Sequence, residues 1–372
     1  MLYFDYHAAS PPCTAAREAM SLAEAVAWAN PSSIHQAGRQ ARQWLEQARG
    51  QVADAIGAQL SEVIFTSGGT EACNLGLRGL LCTRPARVVT TPVEHPAVTN
   101  VIREWERQGT EVVSLPVDGS RVPSAAQLEE VLQTPTELVA VQWVNHETGM
   151  VFPIAGYAEV CFKSGVPLFV DGTQALGKIP INVKGLGVTA MAFASHKMGG
   201  PAGVGALWVT PERDVEPVLR GGAQEKGRRP GSPDVVSLAG FGAAAARVAD
   251  RLGQLKAIGK LRDSLEAFLR TLGASVNADG ALRVATVTNV SFPGVRADTL
   301  VPALDVEGLC VSSGSACSSG LVRVSPVLEA MYPEESWRAS SAVRFSLGPE
   351  ITPEDIETAK GIMRQVLSRF SS

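Results

Sequence analysis

The sequence has few of the features that mark membrane, secreted or metal-binding proteins. No apolar run approaches the roughly 18 residues that span a bilayer, and the opening residues Met1 to Asp5 lack the basic region and apolar core of a signal peptide. The six cysteines are scattered and form no Cys-x-x-Cys pair, and the five histidines show no ligand spacing. We therefore expect a cytoplasmic protein with reduced thiols, no metal site and no membrane contact.

The chain also carries little net charge. Its formal charge of −4 is too small to indicate a nucleic-acid partner. It contains neither a Walker loop nor the Gly-x-Gly-x-x-Gly fingerprint, which argues against a nucleotide-binding module. A length of 372 residues is enough for two domains, each with its own core.

From about residue 40 to 210, short apolar runs alternate with helix-like segments. Most runs are continuous, which is typical of strands buried on both faces of a parallel sheet. They lie at 63–65, 88–89, 112–113, 138–141, 168–170 and 191–194. After Pro233 the pattern changes to helices at 235–250 and 254–272, a β-rich stretch at 283–292, a helix at 298–307, a strand at 342–346 and a helix from Pro353. The sequence predicts an α/β domain and then a smaller α+β domain, with the boundary near residue 250.

Polar residues follow three of these runs, where open parallel sheets bind their ligands. Thr66 to Glu71 place two glycines and a threonine at a helix start, which suits an anion, although an ordinary capped turn would explain them equally well. Asp171 and Lys197 each end another run. Pyridoxal phosphate requires a Lys that forms a Schiff base with it and an Asp that keeps its ring nitrogen protonated. Together the three sites predict that cofactor.

A second informative stretch surrounds Cys317. The segment Ser312 to Gly320 consists of small residues around this thiol, which predicts an exposed loop and a reactive cysteine. Cys310 lies between Leu309 and Val311, and we expect it in the core.

On these residues the chain resembles the cysteine desulfurases of the class V pyridoxal-phosphate enzymes, in the nitrogen-fixation and iron–sulfur-cluster (NifS/IscS-like) group. The matching motifs are 30–35, 65–71, 94–95, 144–149, 170–174, 196–197, 221–225, 228–232, 312–317 and 343–346. The resemblance implies an aspartate aminotransferase-like fold of type I, with a large cofactor-binding domain at 13–250 and a small domain formed by 1–12 and 251–372. It also implies a homodimer that removes sulfur from L-cysteine and releases L-alanine.

The resemblance implies a role for each matching residue. Lys197 would hold the cofactor and move the Cα proton, His95 would stack on the ring and transfer protons, and Cys317 would accept the sulfur as a persulfide. Arg344, with Asn145, would bind the substrate, its planar donors suiting a carboxylate. The implied cofactor-binding residues are Gly69, Thr70, His95, Asn145, Asp171, Gln174, His196, Lys197 and, from the partner subunit, Ser232. The persulfide would pass to an acceptor such as a cluster scaffold protein or an enzyme of tRNA or cofactor thiolation.

The chain departs from the family pattern in three places, one of which is the pair Pro230 and Pro233 beside the expected partner-subunit contact. Ala194-Ser195 precedes His196, so a hydroxyl expected on the phosphate is missing or displaced by one residue, which changes the face of a strand. The opening segment Asp5 to Ala8 also differs. We expect His7, His35 and His146 to be hydrogen-bonding scaffold. Alternative functions are a selenocysteine lyase or aminotransferase of the same fold, and a sulfur-delivery subunit that depends on a partner.

Overall fold

The computed structural model describes residues 1–81, 83–313 and 324–370. Its strands are β1 (Leu2–Tyr3), β2 (Val63–Thr66), β3 (Arg87–Thr90), β4 (Glu111–Ser114), β5 (Leu138–Gln142), β6 (Leu168–Asp171), β7 (Ala190–Ala194), β8 (Gly205–Val209), β9 (Ser275–Val276), β10 (Val287–Ser291), β11 (Leu309–Cys310), β12 (Ser312–Ser313) and β13 (Ala342–Ser346). Its helices are α1 (Thr14–Val26), α2 (Gln36–Ile56), α3 (Gly69–Leu81), α4 (Pro96–Arg107), α5 (Ala125–Val131), α6 (Ile154–Ser164), α7 (Val235–Ala245), α8 (Val248–Thr271), α9 (Ala297–Val306), α10 (Pro326–Met331), α11 (Trp337–Ser341) and α12 (Pro353–Ser368).

A seven-stranded sheet forms the centre of the larger part, in the order β2-β8-β7-β6-β5-β3-β4. The strands from β7 to β4 are parallel to their neighbours, which confirms the mainly parallel sheet. Each of the six apolar runs is a strand of this sheet. We missed β8, which pairs antiparallel with both β2 and β7. Its residues follow a Gly- and Pro-rich loop, so the sequence pattern did not separate a strand from that loop.

A four-stranded antiparallel sheet in the order β12-β13-β10-β9 forms the second part, and helices α8, α9 and α12 pack around it. The N-terminus joins this part, because β1 pairs with β11 and Phe4 lies in its apolar core. The helix α8 begins at Val248, which packs in the apolar core of the larger part, and continues into the second part. The division at 12/13 and 250/251 stays a prediction.

The central sheet brings the predicted site residues to one edge. Because β2, β3, β5, β6 and β7 run in the same direction, the segments that follow them all lie at the carboxyl ends of the strands. Helices α3 and α4 begin at this edge, and the latter is capped by His95. Within the part of the chain that the structure describes, no helix is long and apolar enough to cross a membrane.

Candidate active site

A cavity of about 600 Å³ lies at this edge of the sheet. Side chains from both parts of the chain line it, from the larger sheet on one side and from β13 on the other. The predicted site residues on its wall are Gly69, Thr70, His95, Asp171, Gln174, His196, Lys197 and Arg344. The cavity thus brings together eight of the residues that the sequence indicated.

Lys197 is held by the N-terminal segment. Its Nζ donates hydrogen bonds to the carbonyl oxygens of His7 at 2.8 Å and of Ala8 at 2.7 Å. The lysine follows β7 in a single 3₁₀ turn that begins at Ser195. These contacts hold the amine at the wall of the cavity, which suits a lysine that forms a Schiff base.

A second lysine lies behind Lys197. Lys178 donates to Gln174 Oε1 at 2.9 Å and to the carbonyl oxygen of Lys197 at 3.1 Å. Burial lowers the pKa of Lys178 well below its ordinary value, and the positive charge of Lys197 lowers it further. Gln174 in turn donates to the His7 carbonyl at 2.9 Å. The amide of Gln174 therefore connects Lys178 to the N-terminal segment at the wall of the cavity.

The start of α3 lies at one end of the cavity. Gly69 packs so tightly that an added Cβ would lie 3.1 Å from Thr173 Oγ1 and 3.2 Å from the Ala194 side chain. Gly68 has φ +147° and open space beside it, which leaves room for a ligand against the backbone. The free N–H groups of the helix start suit a phosphate.

The structure shows which of the two residues before His196 faces this end. Ala194 lines the cavity, whereas Ser195 is fully buried elsewhere and its hydroxyl has no hydrogen-bond partner among the described residues. Thr173 also lines the cavity beside Gly69, and the sequence analysis gave it no role. Burial, then the charges of Lys197 and Lys178, lower the pKa of His196 to about 4, so this histidine is a neutral hydrogen-bonding group.

His95 is oriented by the helix that it caps. Its Nδ1 accepts the backbone N–H of Ala97 at 3.1 Å, so a neutral ring carries its proton on Nε2. The ring meets His146 edge to face, with centroids 5.1 Å apart. Burial lowers the pKa of His146 well below its ordinary value, and nearby positive charges add to this. Both rings line the cavity, and the role of His146 as hydrogen-bonding scaffold stays a prediction.

Arg344 lies in β13 on the opposite wall and is 2% exposed. Its Nη2 donates to Asp5 Oδ1 at 2.8 Å and its Nη1 to the His146 carbonyl at 2.9 Å. Asn145 does not line the cavity: its Oδ1 accepts hydrogen bonds from Glu147 N and from Thr148, and its Nδ2 donates to the Val93 carbonyl. Asn145 therefore shapes the turn behind the wall, and its role toward cofactor and substrate stays a prediction.

Sequence reasoning missed a buried carboxyl group in the wall. Glu94 is 4% exposed; its Oε1 accepts from Thr91 Oγ1 at 2.6 Å, and its Oε2 has no hydrogen-bond partner in the described chain. Burial raises the pKa of Glu94 to about 8, against the hydrogen bond from Thr91. The sequence signal for Glu94 was its position directly before the capping residue His95.

His7 was expected to be hydrogen-bonding scaffold. It does form a hydrogen bond with Thr286 Oγ1 at 2.9 Å, and it also lines the cavity.

Three further predictions concern Ser232, Cys317 and Cys310. Ser232 is exposed and lies in a separate pocket with Ser67 and Arg229, so in this chain it is not part of the site. Cys317 lies outside the described residues. Cys310 was expected in the core, but it is half-buried, with Sγ 3.6 Å from Asp305 Oδ1. That expectation was wrong because β11 alternates, so Leu309 points inward and Cys310 does not.

The wall fits pyridoxal phosphate. Several buried polar atoms beside the cavity have no partner among the described residues, namely His7 Nδ1, Glu94 Oε2, His146 Nδ1, His196 Nδ1 and Arg344 Nε. Buried polar groups are normally hydrogen-bonded, so this cluster indicates a polar ligand. The amine of Lys197, the carboxylate of Asp171 and the start of α3 match the aldehyde, ring nitrogen and phosphate of that cofactor.

Comparison with known proteins agrees with this fit. A family model described as aminotransferase class-V matches residues 2–358. A putative cysteine desulfurase IscS 1 of Bacillus subtilis is 37% identical, over 100% of this chain and 99% of that protein. An IscS-like cysteine desulfurase of Mycobacterium tuberculosis is 38% identical, over 99% and 97%. A solved NifS-like protein superposes with a TM-score of 0.92 at 30% identity, covering 99% of both chains. The structure of SspA in complex with cysteine superposes with a TM-score of 0.80 at 30% identity, covering 95% of this chain and 100% of that one.

Proposed function

The chain belongs to the class-V aminotransferase family, and from this premise we propose that it is a cysteine desulfurase that converts L-cysteine into L-alanine and a persulfide. One observation carries the proposal: Lys197, Asp171, His95 and Arg344 line a single cavity at the start of α3. The full-length similarity to proteins named cysteine desulfurase supports the same reaction.

Arg344 and Lys197 would act on the substrate from opposite walls of the cavity. The guanidinium on one wall binds the α-carboxylate, and the amine on the other wall lies where it can take the Cα proton. When bound, pyridoxal phosphate withdraws electrons from the Cα of an attached amino acid and so weakens its Cα–H bond. Asp171, 6% exposed at the end of β6, would pair with the ring nitrogen. His95 would act as the general acid and donate a proton from its Nε2 to the reacting substrate.

Cys317 would receive the sulfur. Its thiolate attacks the substrate sulfur, so that an S–S bond forms and the Cβ–S bond breaks, and the electron pair left on Cβ takes up a proton to give L-alanine. The products are alanine and a Cys317 persulfide, with no external oxidant or reductant. In the sequence Cys317 lies between Ser313 and Val324, and Val324 lines the cavity, which supports this assignment.

The test compares three variants. Cys317→Ala should keep the absorbance of the lysine-bound cofactor and release no sulfide or alanine from L-cysteine, because only the sulfur acceptor is lost. Lys197→Ala should lose that absorbance and the activity together. Cys310→Ala is the matched control and should behave as the parent, since this half-buried thiol lies away from the cavity. Sulfide release that persists in Cys317→Ala would contradict the assignment.

The finer parts of the proposal concern the assembly. We propose a cytoplasmic homodimer in which the partner's Ser232 reaches the phosphate end, since Ser232 is exposed on a surface apart from its own site. The persulfide is passed to an acceptor protein such as a cluster scaffold. Trapping the persulfide and identifying proteins that copurify with the chain would name that acceptor. Sulfide release that requires an added acceptor would favour the sulfur-delivery subunit, and preferential turnover of selenocysteine would favour the lyase.

A further inference from the structure

Arg344 has an unusual set of partners for a buried cation. Its guanidinium contacts one carboxylate, that of Asp5, through a single oxygen, and the backbone carbonyl of His146. Its Nε is buried and has no acceptor in the described chain. A guanidinium carries five N–H donors in one plane. The two contacts therefore fix the plane and leave donors, including the Nε–H, available to a ligand in the cavity.

Asp5 is itself fixed by the backbone around it. Its carbonyl oxygen accepts the N–H groups of Ala8 at 3.0 Å and Ala9 at 3.2 Å. Its backbone forms a bridge with Ser346, two residues beyond Arg344 on β13. Residues two apart on a strand share a face. The carboxylate is thus held beside the guanidinium rather than reaching it through a flexible loop.

The same N-terminal segment also contacts Lys197. The carbonyl oxygens of His7 and Ala8 accept the Lys197 Nζ, while Asp5 holds Arg344. One turn of chain, Asp5 to Ala8, therefore contacts both the arginine that would bind the substrate carboxylate and the lysine that would take the Cα proton.

We propose that Asp5 is a positioning residue that orients Arg344 for the α-carboxylate of the substrate and so selects free amino acids over their amides and esters. The proposal rests on the proposed function for the identity of the substrate. Asp5 orients rather than blocks Arg344, because its single contact at Nη2 leaves the Nε–H unused. Without Asp5 the buried guanidinium would keep only a carbonyl partner and would lose its fixed direction.

The test measures ligand binding without turnover. L-alanine and L-alaninamide are titrated into the cofactor-loaded protein, and binding is followed through the cofactor absorbance. In Asp5→Asn the affinity for L-alanine should fall about 10- to 100-fold while that for L-alaninamide stays the same, because a charge-assisted contact is lost on the carboxylate side alone. The KM for L-cysteine should rise by a similar factor, with kcat within about threefold of the parent.

Two further variants make the result decisive. Asp279→Asn removes the carboxylate of an exposed Asp–Arg pair and should leave both affinities unchanged. Asp5→Glu keeps the charge and should retain most of the preference for L-alanine, and it replaces Asp5→Asn should that variant lose the cofactor or the fold. Tighter binding of L-alanine by Asp5→Asn would overturn the proposal, since Asp5 would then be a competitor. An unchanged preference in Asp5→Asn, or an equal loss in Asp5→Glu, would overturn it as well. Because alanine binding needs no desulfuration, these outcomes are separate from the fate of Cys317→Ala.

Discussion

Replacing Glu94 by Gln tests whether this buried carboxyl group is protonated in the native protein. Burial raises the pKa of Glu94 to about 8, whereas its ordinary value is 4.5. Between these two values the folded protein holds a proton that the unfolded chain has lost. Folding stability that depends on this group is therefore complete below the ordinary value and is lost as the pH rises toward 8.

The size of the effect follows from the pKa difference. One pKa unit corresponds to about 1.4 kcal/mol, so the parent should lose about 2 to 3 kcal/mol of unfolding free energy through Glu94 between pH 6 and pH 8. Gln is nearly isosteric with the protonated carboxyl group and does not titrate. The stability of Glu94→Gln relative to the parent should therefore rise by that amount over the same interval.

The assay is denaturant unfolding of the cofactor-free protein at pH 6, 7 and 8, since a bound cofactor would add its own pH dependence. Glu159→Gln is the matched control, because Glu159 is an exposed residue of α6 that pairs with exposed Lys163. Its difference from the parent should not change over this interval. If the difference between Glu94→Gln and the parent were equally flat, Glu94 would be ionised in the native state and the reasoning from burial would be refuted.

Two other predictions concern packing and charge. Gly205→Ala should destabilise the fold by about 3 kcal/mol in thermal and denaturant unfolding and should weaken cofactor binding, because the added Cβ would lie 2.6 Å from backbone atoms of Gly68 and Phe193. The control is Gly361→Ala in α12, where the added Cβ meets open space. It should be neutral or slightly stabilising in the same measurements. Burial alone would raise the pKa of Glu266, but the ion pair with Arg283 and the hydrogen bond from Thr288 lower it to about 2. Glu266→Gln should therefore lower the free energy of unfolding by about 2 kcal/mol at pH 7. The contribution of ionised Glu266 to the free energy of unfolding is present above pH 4.5 and is lost as the pH falls toward 2. The difference between Glu266→Gln and the parent should therefore shrink in unfolding measurements below pH 4. A difference that stays constant would contradict the lowered pKa of Glu266.

Local signals in the sequence predicted most of the regular structure. All six apolar runs became strands: five of them are short, continuous and buried, and the sixth, β4, is the less buried strand at the edge of the sheet. Helix α2 ends at Gly57 in the left-handed conformation, and α12 begins after the capping Thr352. These ends depend on backbone preferences of one or two residues, which sequence reasoning can use directly. Strand β8 was missed because it directly follows a Gly- and Pro-rich loop, from which the sequence pattern did not separate it.

The sequence by itself determined which groups lie at the ends of the strands: Asp171 is the last residue of β6, Lys197 follows β7, and two glycines follow β2 at the start of α3. This follows because the polar residue after a buried strand is a local feature of the chain. Only the tertiary structure decided what these groups contact. Asp5 meets Arg344 across 339 residues, and Ala194 rather than Ser195 faces the cavity. Burial and electrostatics depend on such distant partners, so the raised pKa of Glu94 and the orientation of Arg344 are set by the fold and not by any motif.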